Sequence, residues 1–401
     1  MYLPVRRSGT GRPGAAPVPA GRSAGARVGP VKLRVVSGTD VLPGLVDALA
    51  GRCVLAPVPT ADAAPYLAML RPDEPVEAPD AAVVVATSGS TGDPKGVMLS
   101  AAALRFSAVA THRRLGGPGS WACALPTHHV AGLMTLTRAI LAGTSIDFAR
   151  GDLTDLPQPS GRSYLSVVPA QLHRALDDIE VTARLRDFAA VLVGGSAVDQ
   201  ALLARAQDAG VAATTTYGMS ETCGGCVYDG FPLDGVRIGF EDGRITLSGP
   251  MAFSGYRLRP DLTAATLRGD TVLTQDRGRM AGDGRLEVLG RIDDVVVSGG
   301  VNVDLAAAQR RADAVLGPPE RGGLVLLAVD DPRWGHRVVA VTTGHPDLDG
   351  ARRLLSPVLG AAALPRELRR VPGLPYTTTG KIDRVALARD WPGRGDHGDA
   401  G

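Results

Sequence analysis

Between residues 31 and 213, short apolar runs alternate with longer amphipathic ones, and no other feature restricts the fold as strongly. AAVVVA (residues 81–86) is followed by an amphipathic stretch at 100–114 that Ser100 is suited to cap. YLSVVP (164–169) runs into a helical 170–179, with Pro169 at the first helical position. AAVLVGG (189–195) precedes a helical 198–209, and VAATTTYG (211–218) reads as a further strand. Strand–helix alternation of this kind predicts an α/β layer around a largely parallel sheet.

The texture changes after Gly230. GFEDGRITLSG (239–249) and MAGDGRLEVLG (280–290) each place Asp-Gly between alternating apolar flanks, a hairpin signal. Beyond GRIDD (290–294) come a helical 304–315, a strand pair across GLVLLAVDDPRWGHRVVAV (323–341) and a helical 349–359. A chain of 401 residues suits two domains. The expected division is a large α/β domain at 31–292, with mostly parallel sheets and a β-rich subdomain, and a small α+β domain at 293–390, joined by a hinge. Residues 1–30, rich in Gly and Pro without periodicity, and 391–401 read as tails, the first of them disordered.

Bulk properties exclude several classes. Apolar residues make up 44% and charged residues 21%, enough for a sizeable core. The net charge of +2 is spread along the chain and gives no basis for binding nucleic acid. Four scattered cysteines fit a reducing cytoplasm better than a disulfide framework. No apolar run approaches the roughly 18 residues of a membrane span, so no stable membrane insertion is expected. Arg6-Arg7 is followed by Gly, Pro, Ala and Arg rather than an apolar segment, which argues against a signal peptide. A homodimer is left open.

TSGSTGDPKG (87–96) directly follows the buried run AAVVVA. Small residues let successive backbone N–H groups turn towards an anion, hydroxyls add donors, and Lys95 adds a point charge. A mobile Gly/Ser surface loop is the bland alternative. A Walker A loop needs Gly-Lys followed by Ser or Thr, but here Pro94 precedes Lys95 and Gly96 follows it.

With its neighbours this loop resembles the signature of the adenylate-forming superfamily of acyl-CoA synthetases, peptide-synthetase adenylation domains and luciferases. Four further segments are similar to that family's motifs and stand in its order: YGMSET (217–222), GRITLSGPMAFSGY (243–256), TQDRGRMAGDGRLEVLGRIDD (274–294) and LPYTTTGKIDR (374–384). The resemblance implies ATP, coenzyme A and a carboxylic acid as small-molecule substrates, with Mg²⁺ as cofactor. Thr87, Ser88, Gly89, Ser90, Thr91, Gly92 and Lys95 would hold the β- and γ-phosphates. Tyr217 would stack on adenine, with Gly194 and Gly195 allowing close approach. Thr222 would join the ATP contacts, and Glu221 would ligate Mg²⁺. Asp276 would receive the ribose hydroxyls, and Arg291 would help hold the nucleotide. Lys381 would bridge the acid's carboxylate and the α-phosphate. Asp293 would be the hinge, and Ser298, Gly299 and Gly300 would offer bare backbone to a pantetheine arm as the small domain swings.

LPTHHVAG (125–132) resembles the family's acyl-pocket segment, with His129 at a gating position. Gly218 and Ser220 would line the acid's side. Adjacent histidines invite a metal reading, but no third ligand stands at suitable spacing. Arg138 lies in the otherwise apolar LMTLTRAILAG (133–143), so it either snorkels to the surface or faces an anion. The run 125–143 and TYGMSETCGGCVYDG (216–230) are similar to the o-succinylbenzoate–CoA ligases of menaquinone synthesis. Their substrate is an aromatic dicarboxylic acid whose second carboxylate needs a cation such as Arg138. An acyl-CoA ligase for another acid and a non-enzymatic nucleotide-binding module are the alternatives. Cys223-Gly-Gly-Cys226 reads as packing rather than as a redox or zinc pair. Four features depart from the family pattern: Gln275 where Gly is usual, Ala281 where Asp is usual, NVDLAAAQ (302–309) without the usual acidic pattern after the hinge, and a short stretch before residue 87.

Overall fold

The structure is a computed structural model and describes residues 5–6, 32–88, 94–292, 294–331, 333–344, 346–376, 382–389 and 391. The chain divides into two compact units. The first comprises Met1–Gly239, Thr246–Thr274 and Met280–Leu286, and the second Phe240–Ile245, Gln275–Arg279 and Glu287–Gly401.

The larger unit is organised by an eight-stranded sheet. Strand Ser120–Cys123 pairs in parallel with Ile146–Phe148 on one side and Ser163–Val167 on the other. From Ser163–Val167 the parallel order continues through Ala190–Val193 to Ala213–Met219, and Gly224–Tyr228 then returns antiparallel. The chain order therefore reverses at Ser120–Cys123, whose successors lie on opposite sides of it. In open α/β sheets ligands gather in the crevice at such a reversal, at the strands' carboxyl ends. The apolar runs read from the sequence are buried on both faces, as parallel strands require. Leu165, Val167, Val191 and Val193 pack with Leu172, Leu185 and Leu202 of the covering helices.

A second, five-stranded sheet holds Leu33–Val36, Val54–Pro57 and Ala81–Ser88 in parallel, then Pro94–Ser100 and Gly255–Tyr256 antiparallel. Ser100 caps the helix Ala101–Arg114 as expected, its Oγ accepting from the Ala103 amide at 3.0 Å. Pro169 starts the helix Pro169–Ala175. The helix expected over 170–179 is shorter. Asp178 accepts from the amides of Glu180 and Val181, which starts a separate helix, Ile179–Leu185. Within the expected N-terminal tail, Val5–Arg6 forms a short strand beside Ile146 and Asp147; the rest of residues 1–30 lies outside the described residues.

Both Asp-Gly turns form. Arg237–Glu241 and Arg244–Ser248 flank Asp242 and Gly243, whose φ values are +50° and +77°. Positive φ at two successive central residues matches the right-handed twist of the strands they join. Thr271–Met280 and Leu286–Arg291 flank the second turn.

The smaller unit carries its own five-stranded sheet. Leu324–Asp331 pairs antiparallel with Gly335–Thr342, and the side chains alternate. Leu324, Leu326, Val338 and Ala340 pack against the helices Leu305–Leu316 and Leu348–Leu355. Val325, Leu327, Val339 and Val341 pack on the other face against Leu387 and Trp391. Ser298–Gly300 lies at a tight turn, with Gly299 and Gly300 exposed. Val295–Ser298 and Val301–Asp304 form a hairpin around Gly299 and Gly300, with φ +60° and +78°. Ser298 is buried, and its Oγ has no hydrogen-bond partner among the described residues.

Candidate active site

The ends of the hydroxyl-rich segment are strand rather than loop. Thr87 and Ser88 end one strand and Lys95 lies in the next, with Thr87 opposite Lys95. The Thr87 hydroxyl donates to the Lys95 carbonyl at 3.4 Å. Gly89, Ser90, Thr91 and Gly92 lie outside the described residues.

Lys95 sits on the strand that pairs with Gly255–Tyr256, with Tyr256 opposite Val97 and so diagonal to Lys95. The Lys95 ammonium stands 5.7 Å from the centre of the Tyr256 ring. The Tyr256 hydroxyl donates to Glu221 Oε1 at 2.6 Å, and the Phe253 amide donates to the Glu221 carbonyl at 2.9 Å. Burial and the Glu221 charge push the Tyr256 phenol far up, so it stays a donor. Three sequence motifs thus meet on one ring. Tyr256 was not singled out in the sequence, because its partners lie 35 and 161 residues away and only the sheet pairing joins them.

Tyr217 lies near the end of the strand Ala213–Met219, just before a bulge at Gly218. On the neighbouring strand's carboxyl end, a side chain at Gly194 would collide with Thr216, so bare backbone there is required by close approach. Gly195 has φ +87°. A Cβ at Gly218 would strike the Gly224 carbonyl. Ser220 is buried. Thr222 differs from the expected ATP contact: it is fully buried and its hydroxyl is spent on the turn. That hydroxyl accepts from the Met219 amide at 2.9 Å and lies 2.8 Å from the Gly224 carbonyl. Cys223 and Cys226 are free and buried among these residues; burial pushes the Cys226 thiol up to about 12 and Cys223 further. Both behave as small packing groups.

The LPTHHVAG segment follows the carboxyl end of Ser120–Cys123, at the sheet's reversal point. His129 is the N-cap residue of the helix Val130–Ala142. Its ring lies 4.3 Å from that of His128, and its Nε2 is buried without a partner. Burial, helped by His128, lowers His129 to about 4, so it is neutral at pH 7. A Cβ on Gly224 would lie 3.7 Å from Met134 and 4.0 Å from Val130, so that face of the helix looks onto the YGMSET turn.

Arg138 is one helical turn further along the same face. It does not snorkel: the residue is 4% exposed. Its guanidinium carbon lies 5.0 Å from the centre of the Trp121 ring, and its Nε has no hydrogen-bond partner. Among the described residues it makes no ion pair. Its charge reaches His112 and Cys223.

In the smaller unit, Asp276 and Arg291 lie on paired strands, and the Ile292 amide donates to the Gln275 carbonyl at 2.8 Å. Both side chains are half-buried. Asp293 and Lys381 lie outside the described residues; Tyr376 and Ile382, which flank the Lys381 segment, pair antiparallel. No cluster of three or more His, Cys, Asp or Glu stands at metal-binding spacing among the described residues. No described helix is long and apolar enough to cross a membrane.

Glycine-bared strand ends in a parallel sheet whose order reverses, with Lys95 and Glu221 gathered on Tyr256, suit an enzyme that handles a nucleotide. The profile of the AMP-binding enzyme family matches residues 35–248, and the chain belongs to that family. It is 42% identical over 399 residues to the "Probable 2-succinylbenzoate--CoA ligase" of Mycobacterium tuberculosis strain H37Rv, covering 94% of this chain and 98% of that one. It is 30% identical over 330 residues to the "2-succinylbenzoate--CoA ligase" of Listeria monocytogenes serotype 4b, covering 77% and 69%. In fold it is similar to the Bacillus subtilis "o-Succinylbenzoate CoA Synthetase (MenE)" solved with "the Acyl-adenylate Intermediate OSB-AMP". That likeness has a TM-score of 0.76 at 20% identity and covers 91% of this chain and 89% of that one.

Proposed function

We propose that this protein is an ATP-dependent acid–CoA ligase that converts 2-succinylbenzoate to 2-succinylbenzoyl-CoA through an acyl-adenylate, releasing AMP and pyrophosphate, as a step of menaquinone biosynthesis. A relative named for this ligase that aligns over nearly its full length supports the reaction. Arg138 carries the choice of acid. A buried guanidinium with no carboxylate partner among the described residues is costly to keep and calls for an anion from outside the chain. A dicarboxylic acid supplies one while its other carboxylate reacts.

Two anions must meet in the first half-reaction, so cations must screen both. Lys95 and the hydroxyl hairpin serve the β- and γ-phosphates. Lys381, by its place in PYTTTGKIDR, bridges the carboxylate and the α-phosphate. Glu221 fits a magnesium ligand: Tyr256 holds one of its oxygens, leaving the other for a cation. A site with one carboxylate, completed by substrate phosphates, is magnesium's usual arrangement. When bound, the ion neutralises phosphate charge. Tyr217 with Gly194 and Gly195 takes the adenine; Asp276 and Arg291 take the ribose and its neighbourhood. Gly218, Ser220 and the neutral His129 line the acid's side. For the second half-reaction, coenzyme A passes the hairpin turn Ser298–Gly300, with Asp293 as the hinge.

The test is pyrophosphate release with a panel of acids, with and without CoA. Release is expected to be best with 2-succinylbenzoate, and Arg138→Ala should raise its KM roughly 30-fold. A monocarboxylic acid as the best substrate would remove the substrate assignment. No release with any acid would leave a nucleotide-binding module.

A further inference from the structure

Among the described residues Arg138 is held without a counter-charge, and three side chains account for how. Trp121 is fully buried, and its indole face carries the guanidinium at 5.0 Å. The indole Nε1–H donates to His112 Nε2 at 3.1 Å, which fixes the ring's rotation. His112 is 9% exposed and stands in the last turn of Ala101–Arg114. It is braced by Tyr164, 6.2 Å away ring to ring, whose hydroxyl donates to the Gly117 carbonyl at 2.7 Å. To accept from the indole, His112 must be neutral with its proton on Nδ1. Burial and the neighbouring guanidinium both favour that form.

The arrangement has a chemical consequence. An Asp or Glu beside Arg138 would satisfy its charge but cancel its attraction for a substrate anion. An aromatic face stabilises the cation while leaving the in-plane N–H donors unspent. We propose that Trp121 and His112 are positioning residues that seat Arg138 on an indole face, so that its guanidinium fork stays available to the second carboxylate of a dicarboxylic substrate. This rests on Arg138 receiving that carboxylate. His112 acts on the acid only through Trp121, and Trp121 only through Arg138.

The test compares KM and kcat for 2-succinylbenzoate and for the two monoacids made by deleting either carboxylate. His112→Leu and Trp121→Leu should each raise KM for the diacid about tenfold, with kcat within about twofold and monoacid kinetics unchanged. His112→Gln should restore the diacid KM, because its amide oxygen can accept the indole N–H. Trp121→Phe keeps a ring face but loses the tether and should fall between. Arg138→Ala run alongside separates the two layers. If it leaves the diacid KM unchanged, the substrate assignment itself fails. If it raises that KM while His112→Leu and Trp121→Phe match the unmodified protein, the positioning role fails and the assignment stands. A parallel loss for diacid and monoacids would reduce the pair to packing and overturn the inference. Should His112→Leu not fold, His112→Gln and Trp121→Phe still decide: the inference requires the first to keep the diacid KM and the second to raise it.

Discussion

At the scale of single residues, Tyr256 joins what the sequence presents as separate motifs. Its ring meets the Lys95 ammonium and its hydroxyl holds Glu221. A hydrogen bond to an ionised carboxylate contributes about 1.5–3 kcal/mol, more than one between neutral groups. Tyr256→Phe keeps the ring and removes only that bond, leaving the Glu221 carboxylate free to rotate. The expected outcome is a roughly tenfold rise in the magnesium concentration needed for half-maximal pyrophosphate release, with the protein still folded. Superimposable magnesium titrations for the two proteins would show that Glu221 does not depend on its tyrosine. Arg257 follows Tyr256 and has the opposite character. Its buried guanidinium is fully spent, donating to the carbonyls of Leu70, Arg71, Glu74 and Pro75 and to Glu77. The contrast with Arg138 separates a structural arginine from the one proposed to receive a ligand.

At the scale of elements, local signals were legible and long-range ones were not. Ser100 and Pro169 mark helix starts because capping and a fixed φ act within one turn. The Asp242–Gly243 turn was legible for the same reason. The break at Asp178 was missed because an apolar period runs through it, while the side chain bonds the backbone instead. Glu221 and Arg138 could be picked out from the motifs that carry them. Tyr256, Trp121 and His112 could not, since each acts only through a partner brought near by tertiary pairing. At Ser298–Gly300 two successive glycines between β-branched runs make a hairpin turn. Its two glycines are not equivalent. At Gly299 a Cβ would lie 2.5 Å from the Trp334 ring, while at Gly300 nothing lies within 4 Å. Gly299→Ala should therefore destabilise the smaller unit by about 1–2 kcal/mol, whereas Gly300→Asn, which tolerates positive φ, should be nearly neutral. Urea titration of both variants measures this, and equal midpoints would refute the assignment of the turn.

At the scale of the whole molecule, three histidines, one buried and two half-buried, couple stability to pH in one unit. His112, His128 and His129 all belong to the larger unit, and burial lowers the pKa of each. His112 and His129 fall to about 4 from an unfolded value of 6.5. Between those values the unfolded chain binds more protons than the folded one, so stability rises with pH through that window and is lost as pH falls. Each of the two contributes on the order of 3 kcal/mol at pH 7 relative to pH 4. Carboxylates such as Asp47, lowered by hydrogen bonds from Arg52 and Arg34, begin to matter only below the ordinary carboxylate value of 3.8. Acid should therefore loosen the larger unit well before its ion pairs break. The thermal midpoint is expected to fall steadily from pH 6.5 to pH 4.5, and His112→Gln with His129→Gln should flatten most of that slope. A midpoint that stays level over this range would mean the histidines are hydrated in the folded protein. As pH falls towards 4, Arg138 also loses its neutral support, because protonated His112 cannot accept the Trp121 N–H and repels the guanidinium. The same proton that destabilises the unit would thus also unseat the cation proposed to receive the substrate's second carboxylate.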